Sequence, residues 1–417
     1  MDQGPGIVAA PRRAAVAFIF ITLVIDVLGF GLVIPVLPKL VEQFMGGDTH
    51  RAAEVYGLFG ASWSAMQFVF SPLLGALSDR WGRRRVLLIS CFGLGVDYIV
   101  MALAPTVGWL LCGRIFSGIC ASSFATAGAY ISDVTPPEKR AQAFGMMGAA
   151  FGLGFVVGPA LGGVLGHLGP RLPFWASAAL ALLNFGYGLF VLPESLPPER
   201  RDAFRWQKAN PVGALRLLRA HTGLLGLAGV NLLFQVAHHV LPSMYVLYTG
   251  YRYGWNTLTV GLTLMTTGLF SIVVQGAMVK PAVRWLGERG ALLAGLGFGI
   301  AGFTWFALAP NQWWMWAGLP VFAWMGLFGP GLQSLMSRRV PPQEQGKLQG
   351  ANSSIVGIAG LVGPLLFTQI FAFAIDKTHA WSFPGAPFFV AAGLLGLSLA
   401  LALLVTQGRT AAPVQAG

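Results

Sequence analysis

The chain has 417 residues, of which 55% are hydrophobic and 10% are charged, whereas a soluble globular domain carries about 25% charged residues. This composition excludes an ordinary soluble domain and indicates an integral membrane protein. The net charge of +12 is high enough for a nucleic-acid-binding protein, but nearly all positive residues lie between the apolar runs, so we expect them to reflect membrane orientation and expect no nucleic-acid partner.

Charge-poor runs long enough to cross a bilayer recur along the whole chain. A spanning helix needs about 20 mostly apolar residues, and runs rich in Gly and punctuated by Pro are typical of packed helices rather than barrel strands. The twelve predicted spans, numbered 1 to 12 from here on, cover residues 14–38, 56–78, 86–104, 107–130, 141–166, 173–193, 218–248, 256–279, 291–309, 313–336, 347–374 and 385–406. We therefore predict an all-α polytopic membrane protein with twelve transmembrane helices.

The distribution of Lys and Arg between the loops predicts the orientation. With both termini in the cytosol, the cytosolic segments carry 21 Lys and Arg residues and the outer loops carry five, which is the bias that the positive-inside rule describes. We therefore expect cytoplasmic termini and residence in the plasma membrane, which in a bacterium is the inner membrane. Four tryptophans at the predicted outer ends of spans 9 and 10 are typical of an interfacial belt: Trp305, Trp313, Trp314 and Trp316.

The two halves of the chain share residues at one fixed spacing. Seven pairs of Gly, Pro or Arg, from Gly82 and Gly287 to Pro159 and Pro364, are each separated by 205 positions. Both halves have six spans and the same orientation, so we predict parallel six-helix repeats with substrate bound between them near the membrane midplane. The predicted domains are residues 1–193, a charged and Pro-rich cytosolic loop over 194–216, and residues 217–417.

Three charged residues lie deep in the first half: Asp26 in span 1, Asp97 in span 3 and Arg114 in span 4. A charge at the bilayer centre costs at least about 2.5 kcal/mol, so such residues point to function. In one interpretation Arg114 is shared between the carboxylates, and Asp26 or Asp97 gains and loses a proton, because burial favours a neutral carboxyl and a nearby Arg favours a charged one. In the alternative, Asp97 and Arg114 form a permanent ion pair and Asp26 is a hydrogen-bonded core residue; a third interpretation gives the three residues a role in substrate binding only.

The spans of the second half carry no Asp, Glu, Lys or Arg at comparable depth and offer neutral polar groups instead. We expect a proton-coupling first half and a substrate-shaping second half. Adjacent residues of a helix point about 100° apart, so His238 and His239 cannot both face a cavity squarely. The candidates for substrate contacts are Asn231, Gln235, His238, Gln275, Gln333 and Asn352.

The loop between spans 2 and 3 carries a specific pattern that runs from Gly75 to Arg85 and includes Asp79, Arg80, Gly82 and Arg83. It resembles the signature loop of the major facilitator superfamily, and the chain as a whole resembles the tetracycline/proton antiporter branch of its drug-efflux members. The resemblance implies that these residues form a cytosolic gate, together with Asp133 after span 4. The copy at the corresponding place in the second half keeps fewer of these residues, so we expect an asymmetric gate.

Span 5 contains a run of small residues that resembles the antiporter motif of the same superfamily. Small residues allow close helix approach, and from physical chemistry alone a packing motif is the simpler interpretation. It is the resemblance that implies exchange instead of uptake. The residues of the motif are Gly154, Gly158, Pro159, Gly162 and Gly163.

The sequence therefore predicts a proton-coupled transporter that exports a hydrophobic or amphipathic, tetracycline-like drug by exchange for protons, and that works as a monomer. Well-known members of the branch carry an acid in span 9 and a His in span 8, and this sequence has neither, so the drug stays unidentified. We expect no catalytic residue, no cofactor and no protein metal site, although a divalent cation can travel chelated to the substrate. The alternatives are a proton-linked importer of a small metabolite and a membrane sensor that does not transport.

Overall fold

The computed structural model describes residues 9–121, 123–201, 215, 217–218, 223–341, 344–378 and 382–407. In this part of the chain the regular secondary structure is helical and no β-strand occurs. Both chain ends and residues 202–214 of the predicted central loop lie outside the described residues, so the predicted loop is only partly covered.

Each of the twelve predicted spans is mostly helical over its described residues. Spans 1 to 6 comprise Ala9–Val33 with Leu37–Phe44, Thr49–Trp81, Arg83–Leu103, Val107–Cys120 with Ser123–Val134, Pro137–Leu168, and Leu172–Val191. Spans 7 to 12 comprise Leu224–His238 with Val240–Tyr253, Thr257–Val273 with the π-helical Val274–Met278, Val279–Leu308, Gln312–Ala323 with the 3₁₀ turn Trp324–Leu327 and Phe328–Ser337, Gln345–Ile375, and Ala386–Thr406. The predicted fold class is confirmed.

Within the described residues, nine continuous helical runs are long and apolar enough to cross a membrane. Nine is smaller than twelve because spans 8 and 9 form one run, Thr257–Leu308, and because span 4 is divided into two short helices. Span 2 is one long helix, but its residues are less apolar than those of the nine runs.

The described chain forms two compact units. The first comprises Met1–Pro211, Leu241–Leu269 and Gly360–Pro384, and the second comprises Val212–Val240, Phe270–Ala359 and Gly385–Gly417. In the first unit span 1 packs closely on span 5, and span 3 packs on span 6. In the second unit span 9 lies against spans 10 and 12. The predicted division at the central loop follows the repeat in the sequence and stays a prediction.

The first unit contains parts of spans 7, 8 and 11 because these parts pack on helices of the first half. A Cβ added at Gly57 of span 2 would collide with the side chain of Thr368 in span 11. The amide of Gln369 donates a hydrogen bond of 3.1 Å to the backbone oxygen of Glu54. Only a residue without a side chain allows span 11 to approach span 2 this closely.

Candidate functional site

The three embedded charges lie in the first unit and have different surroundings. Asp97 is 1% exposed, and neither of its carboxylate oxygens has a hydrogen-bond partner. Space for this carboxylate exists because span 4 has a glycine opposite it: a Cβ at Gly113 would lie 3.0 Å from Asp97 Oδ1. A buried carboxylate without a hydrogen-bond partner costs free energy. Of the three embedded charges, Asp97 is therefore the one most stabilised by binding a proton or a partner.

Arg114 is also buried, and aromatic rings surround its guanidinium. The guanidinium carbon lies 5.9 Å from the ring centroid of Phe30 and 5.5 Å from that of Trp63. These two rings stack on each other at 5.4 Å. No ion pair links Arg114 with Asp97 in the described chain, so the permanent pair of the alternative interpretation is not present in this structure. Cation–π contacts compensate only part of the desolvation of a guanidinium.

Asp26 differs from Asp97 because it has a fixed partner. The side-chain amide of Asn184 in span 6 donates a hydrogen bond of 3.1 Å to Asp26 Oδ1. The same nitrogen lies 3.4 Å from the backbone oxygen of Thr22 and 3.7 Å from the sulfur of Cys91. Sequence reasoning missed Asn184, although an asparagine within an apolar span is a signal that could have identified it.

The predicted gate residues of the first half form one charged cluster. Arg83 pairs with Asp79 at 2.6 Å and with Asp133 at 3.2 Å. Gly82 has φ +98°, and its lack of a side chain leaves room for the carboxylate of Glu194, which accepts the backbone N–H of Arg83 at 2.9 Å. The structure therefore brings together four of the five predicted gate residues.

The charged cluster differs from the predicted gate at two points. Arg80 lies in the last turn of the helix that ends at Trp81, is exposed, and has no partner among the described residues. Glu194 and Ser195 belong to the cluster but were not predicted, and Ser195 donates a hydrogen bond of 3.2 Å to Asp133. Their place in the sequence, directly after span 6, was the available signal.

The small residues of span 5 pack against two neighbours. A Cβ at Gly158 would lie 2.8 Å from the Cα of Gly31 in span 1, and added Cβ atoms at Gly154 and Gly162 would also meet span 1. Gly163 instead faces span 8, where an added Cβ would lie 3.0 Å from the Cα of Gly261. The backbone oxygen of Pro159 also lies against Gly261. The motif therefore places span 5 in close backbone contact with two spans.

The predicted substrate residues all line one cavity in the second unit. The cavity has a volume of about 370 Å³, and Phe234, Phe322, Phe328 and Gln349 also contribute to its walls. Such a volume lies within the range of small-molecule sites. Among the described residues that line it, none is Asp, Glu, Lys or Arg. The six predicted residues that it brings together are Asn231, Gln235, His238, Gln275, Gln333 and Asn352.

Hydrogen bonds between amides hold one wall of this cavity. The amide of Gln235 donates to Asn231 at 3.4 Å, Asn231 donates to Asn352 at 3.3 Å, and Asn352 donates to Gln333 at 3.3 Å. Another part of the cavity wall is aromatic: Phe234 and Phe328 both line the cavity and stack on each other with ring centroids 3.6 Å apart. A flat ligand with carbonyl and hydroxyl groups at its edge matches these two walls.

The two adjacent histidines separate as expected. His238 lines the cavity and stacks on Phe234 at 6.0 Å. His239 does not line it, and its Nδ1 lies 2.8 Å from the backbone oxygen of Gln235. Within the described chain, no group of three or more His, Cys, Asp or Glu residues is placed to hold a metal ion.

Comparison with known proteins gives a consistent picture. A family model described as "Major Facilitator Superfamily" matches residues 19–364. The class C tetracycline resistance protein of Escherichia coli is 37% identical over 88% of this chain and 93% of its own length. The class E tetracycline resistance protein of Escherichia coli is 34% identical over 97% of both chains.

Solved structures agree with the fold. The human organic anion transporter MFSD10 (TETRAN) superimposes with a TM-score of 0.70 and 25% identity, covering 94% of this chain and 99% of the other. The nucleoside transporter NupG superimposes with a TM-score of 0.75 over 94% of this chain and 100% of the other, at 13% identity. The second likeness concerns the fold alone.

Proposed function

This chain belongs to the Major Facilitator Superfamily, and we propose that it exports a hydrophobic or amphipathic, tetracycline-like drug in exchange for protons by alternating access. It is an integral membrane protein and not an enzyme. We place both termini in the cytoplasm because of the Lys and Arg bias, and we treat the monomer as the working unit. A divalent cation chelated to the drug would be part of the substrate.

The observation that carries the proposal is the state of Asp97. Its buried carboxylate has no hydrogen-bond partner, while Arg114 rests against Phe30 and Trp63 and not against an acid. A guanidinium that approaches a carboxylate lowers the affinity of that carboxylate for protons. If Asp97 pairs with Arg114 in one conformation and stands apart in another, the conformational change takes up and releases a proton.

The two carboxylates then have different roles. Asp97 is the carrier, because nothing in its surroundings holds its oxygens. Asp26 is held by Asn184, so a change in its protonation alters the contact between spans 1 and 6. The drug is bound by the amide and aromatic walls of the cavity in the second unit, where Asn231, Gln235 and Asn352 supply donors and acceptors.

Exchange in reconstituted vesicles tests this function. Vesicles with an imposed pH gradient should accumulate labelled tetracycline when they contain the wild-type chain. Asp97→Asn should lower the gradient-driven rate at least about tenfold, because a neutral amide cannot carry a proton, and Asn231→Ala should mainly raise KM. Asp97→Asn should still bind the drug, which separates coupling from binding.

Other outcomes would contradict the proposal. If Asp97→Asn and Asp26→Asn both keep the full gradient-driven flux, the embedded acids do not couple drug movement to proton movement. Proton flow in the same direction as the solute would indicate the importer. If a panel of drug-like compounds gives no flux with the wild-type chain, the sensor becomes the better interpretation.

A further inference from the structure

The cytosolic loops of the two halves carry charges at the same places but with opposite signs. Asp79 and Arg83 of the first half correspond, at the spacing of 205 residues, to Arg284 and Glu288 of the second half. Asp133 corresponds to Arg338. The second copy of the loop motif has therefore not only lost residues of the first copy; its charges are inverted at three positions.

The backbone around the inverted positions is alike in both units. Gly82 has φ +98° and Gly287 has φ +70°, and each breaks the helical course at the same point of its loop. Arg83 and Glu288 follow directly and begin the next helical stretch. A conformation with positive φ suits glycine, so both loops present the following residue at a helix start.

Arg83 and Glu288 pair with two residues that also correspond at the spacing of 205, Asp133 and Arg338. In the first unit Arg83 lies 3.2 Å from Asp133 at the end of span 4. In the second unit Arg338, after the end of span 10, lies 2.7 Å from Glu288 Oε1, and Ser334 donates a hydrogen bond of 2.5 Å to the same oxygen. The geometry of the pair is preserved while its polarity is reversed.

The reversal changes how the pair interacts with the helix dipoles. Helix starts favour negative groups and helix ends favour positive ones. Glu288 at a start and Arg338 at an end satisfy both preferences, whereas Arg83 at a start and Asp133 at an end oppose both. In the first cluster the carboxylate of Glu194 accepts the N–H of Arg83 and supplies the negative group that this helix start favours.

We infer that Glu288 and Arg338 are positioning residues that keep the cytosolic ends of spans 9 and 10 joined throughout the transport cycle. The pair agrees with both helix dipoles, and among the described residues its printed contacts are made by the start of the span 9 helix and the end of span 10. The first-half cluster opposes both dipoles, depends on the segment after span 6, and is the one that opens and closes. This inference rests on the proposed drug/proton exchange.

Substitutions that exchange the charges of Glu288 and Arg338 test the pairing. The purified 417-residue chain is placed in vesicles that hold a pH gradient. Glu288→Arg places two cations together and should lower the maximal rate of tetracycline exchange about tenfold while KM stays within about twofold. The double variant E288R/R338E should recover most of the rate. The side chain of Arg338 is 73% exposed but that of Glu288 is only 18% exposed, so rates are compared at equal amounts of inserted, folded protein.

Cross-linking tests whether the pair stays joined. In a chain whose three native cysteines are replaced, Glu288→Cys with Arg338→Cys should transport slowly, and a short bismaleimide that links the two thiols should raise the rate. The same linkage between Arg83→Cys and Asp133→Cys should leave the chain inactive, because that cluster has to open.

The possible failures are distinguishable. If the wild-type chain shows no exchange, the proposed function fails. If the wild-type chain exchanges and Glu288→Arg does so equally well, or E288R/R338E is no better than Glu288→Arg, the pairing is wrong. If cross-linking at 288 and 338 lowers the rate, the pair opens during transport and the inference is overturned.

Discussion

At the scale of single residues, the function depends on which buried groups have partners. Asp26 and Asp97 look equivalent in the sequence, since each is one acid within an apolar span. In the structure Asn184 binds the first, and nothing binds the oxygens of the second. Asp26, Asp97 and Arg114 could be identified from the sequence because embedded charge is costly. Their partners could not, because the partner of Asp26 lies 158 residues away in the chain.

A glycine opposite Asp97 allows a residue-scale prediction. Gly113→Ala places a methyl group 3.0 Å from Asp97 Oδ1 and closer still to the side chain of Met101, so it should displace the carboxylate. We expect gradient-driven drug exchange to fall about tenfold, because a displaced carboxylate that raises the barrier of the limiting step by about 1.4 kcal/mol lowers the rate tenfold.

Gly108 of the same helix provides the control. A Cβ there would meet only Thr106, at 3.8 Å, so Gly108→Ala should transport like the wild type. Initial rates in vesicles at equal protein content measure both. Equal activity of the two variants would show that the position of the Asp97 carboxylate does not limit exchange.

At the scale of the helical elements, the packing of span 5 depends on positions that have no side chain. Glycines at 154, 158 and 162 let it approach span 1, and Gly163 lets it approach span 8. The sequence predicted close packing from this run of small residues. It could not predict that the last glycine serves a different neighbour, because that depends on where span 8 lies after folding.

The contact with span 8 is expected to form and break during alternating access. Gly163→Ala would place a methyl group against the backbone of Thr257 and Gly261. It should hold these helices apart and lower the maximal exchange rate about tenfold, which corresponds to about 1.4 kcal/mol in the barrier of the step that closes this contact. Gly148→Ala in the same helix is the matched control, because a Cβ there meets nothing within 4 Å.

Two quantities are measured for each variant, the transport rate and the thermal stability. Gly163→Ala should lower the transport rate, whereas Gly148→Ala should leave the rate unchanged and leave the thermal stability unchanged or slightly higher, as expected when glycine is replaced within a helix. A Gly163→Ala variant that transports at the wild-type rate would contradict a role of this contact in the cycle.

At the scale of the whole molecule, the distribution of the +12 charge between the loops predicts the topology. The loops predicted to be cytosolic contain the cluster of Arg83 and the pair of Glu288 with Arg338. At the opposite, predicted outer ends of spans 9 and 10, the indole of Trp305 donates to the backbone oxygen of Trp314 at 2.7 Å, and Trp313 is 73% exposed. Exposed indoles at helix ends suit a membrane interface.

Reporter fusions test the predicted orientation. A fluorescent protein that matures only in the cytosol should be bright when fused after residue 417, and an alkaline phosphatase that is active only outside should be inactive there. Both should give the reverse result when fused after Asn311, which lies between spans 9 and 10. Phosphatase activity at the C-terminal fusion would contradict the topology that is predicted from the charges and would indicate the reverse orientation.

The sequence by itself determined the number of spans, their predicted orientation and the residue types of each candidate site. It could do so because crossing a bilayer imposes one strong local rule, about 20 apolar residues with any charge carrying a cost. Tertiary structure decided which of these residues meet. It gathered Asn231, Gln235 and Asn352 into one cavity, left Arg80 outside the charged cluster, and added Asn184 and Glu194 as partners.

The inverted pair of Glu288 and Arg338 shows why the two kinds of information differ. Both residues are visible in the sequence, but only their 2.7 Å separation shows that the reversed charges still pair. A charge pattern along a chain fixes the sign of each group. Whether opposite signs meet depends on how helices distant in the sequence pack together, and helix packing is a property of the folded molecule.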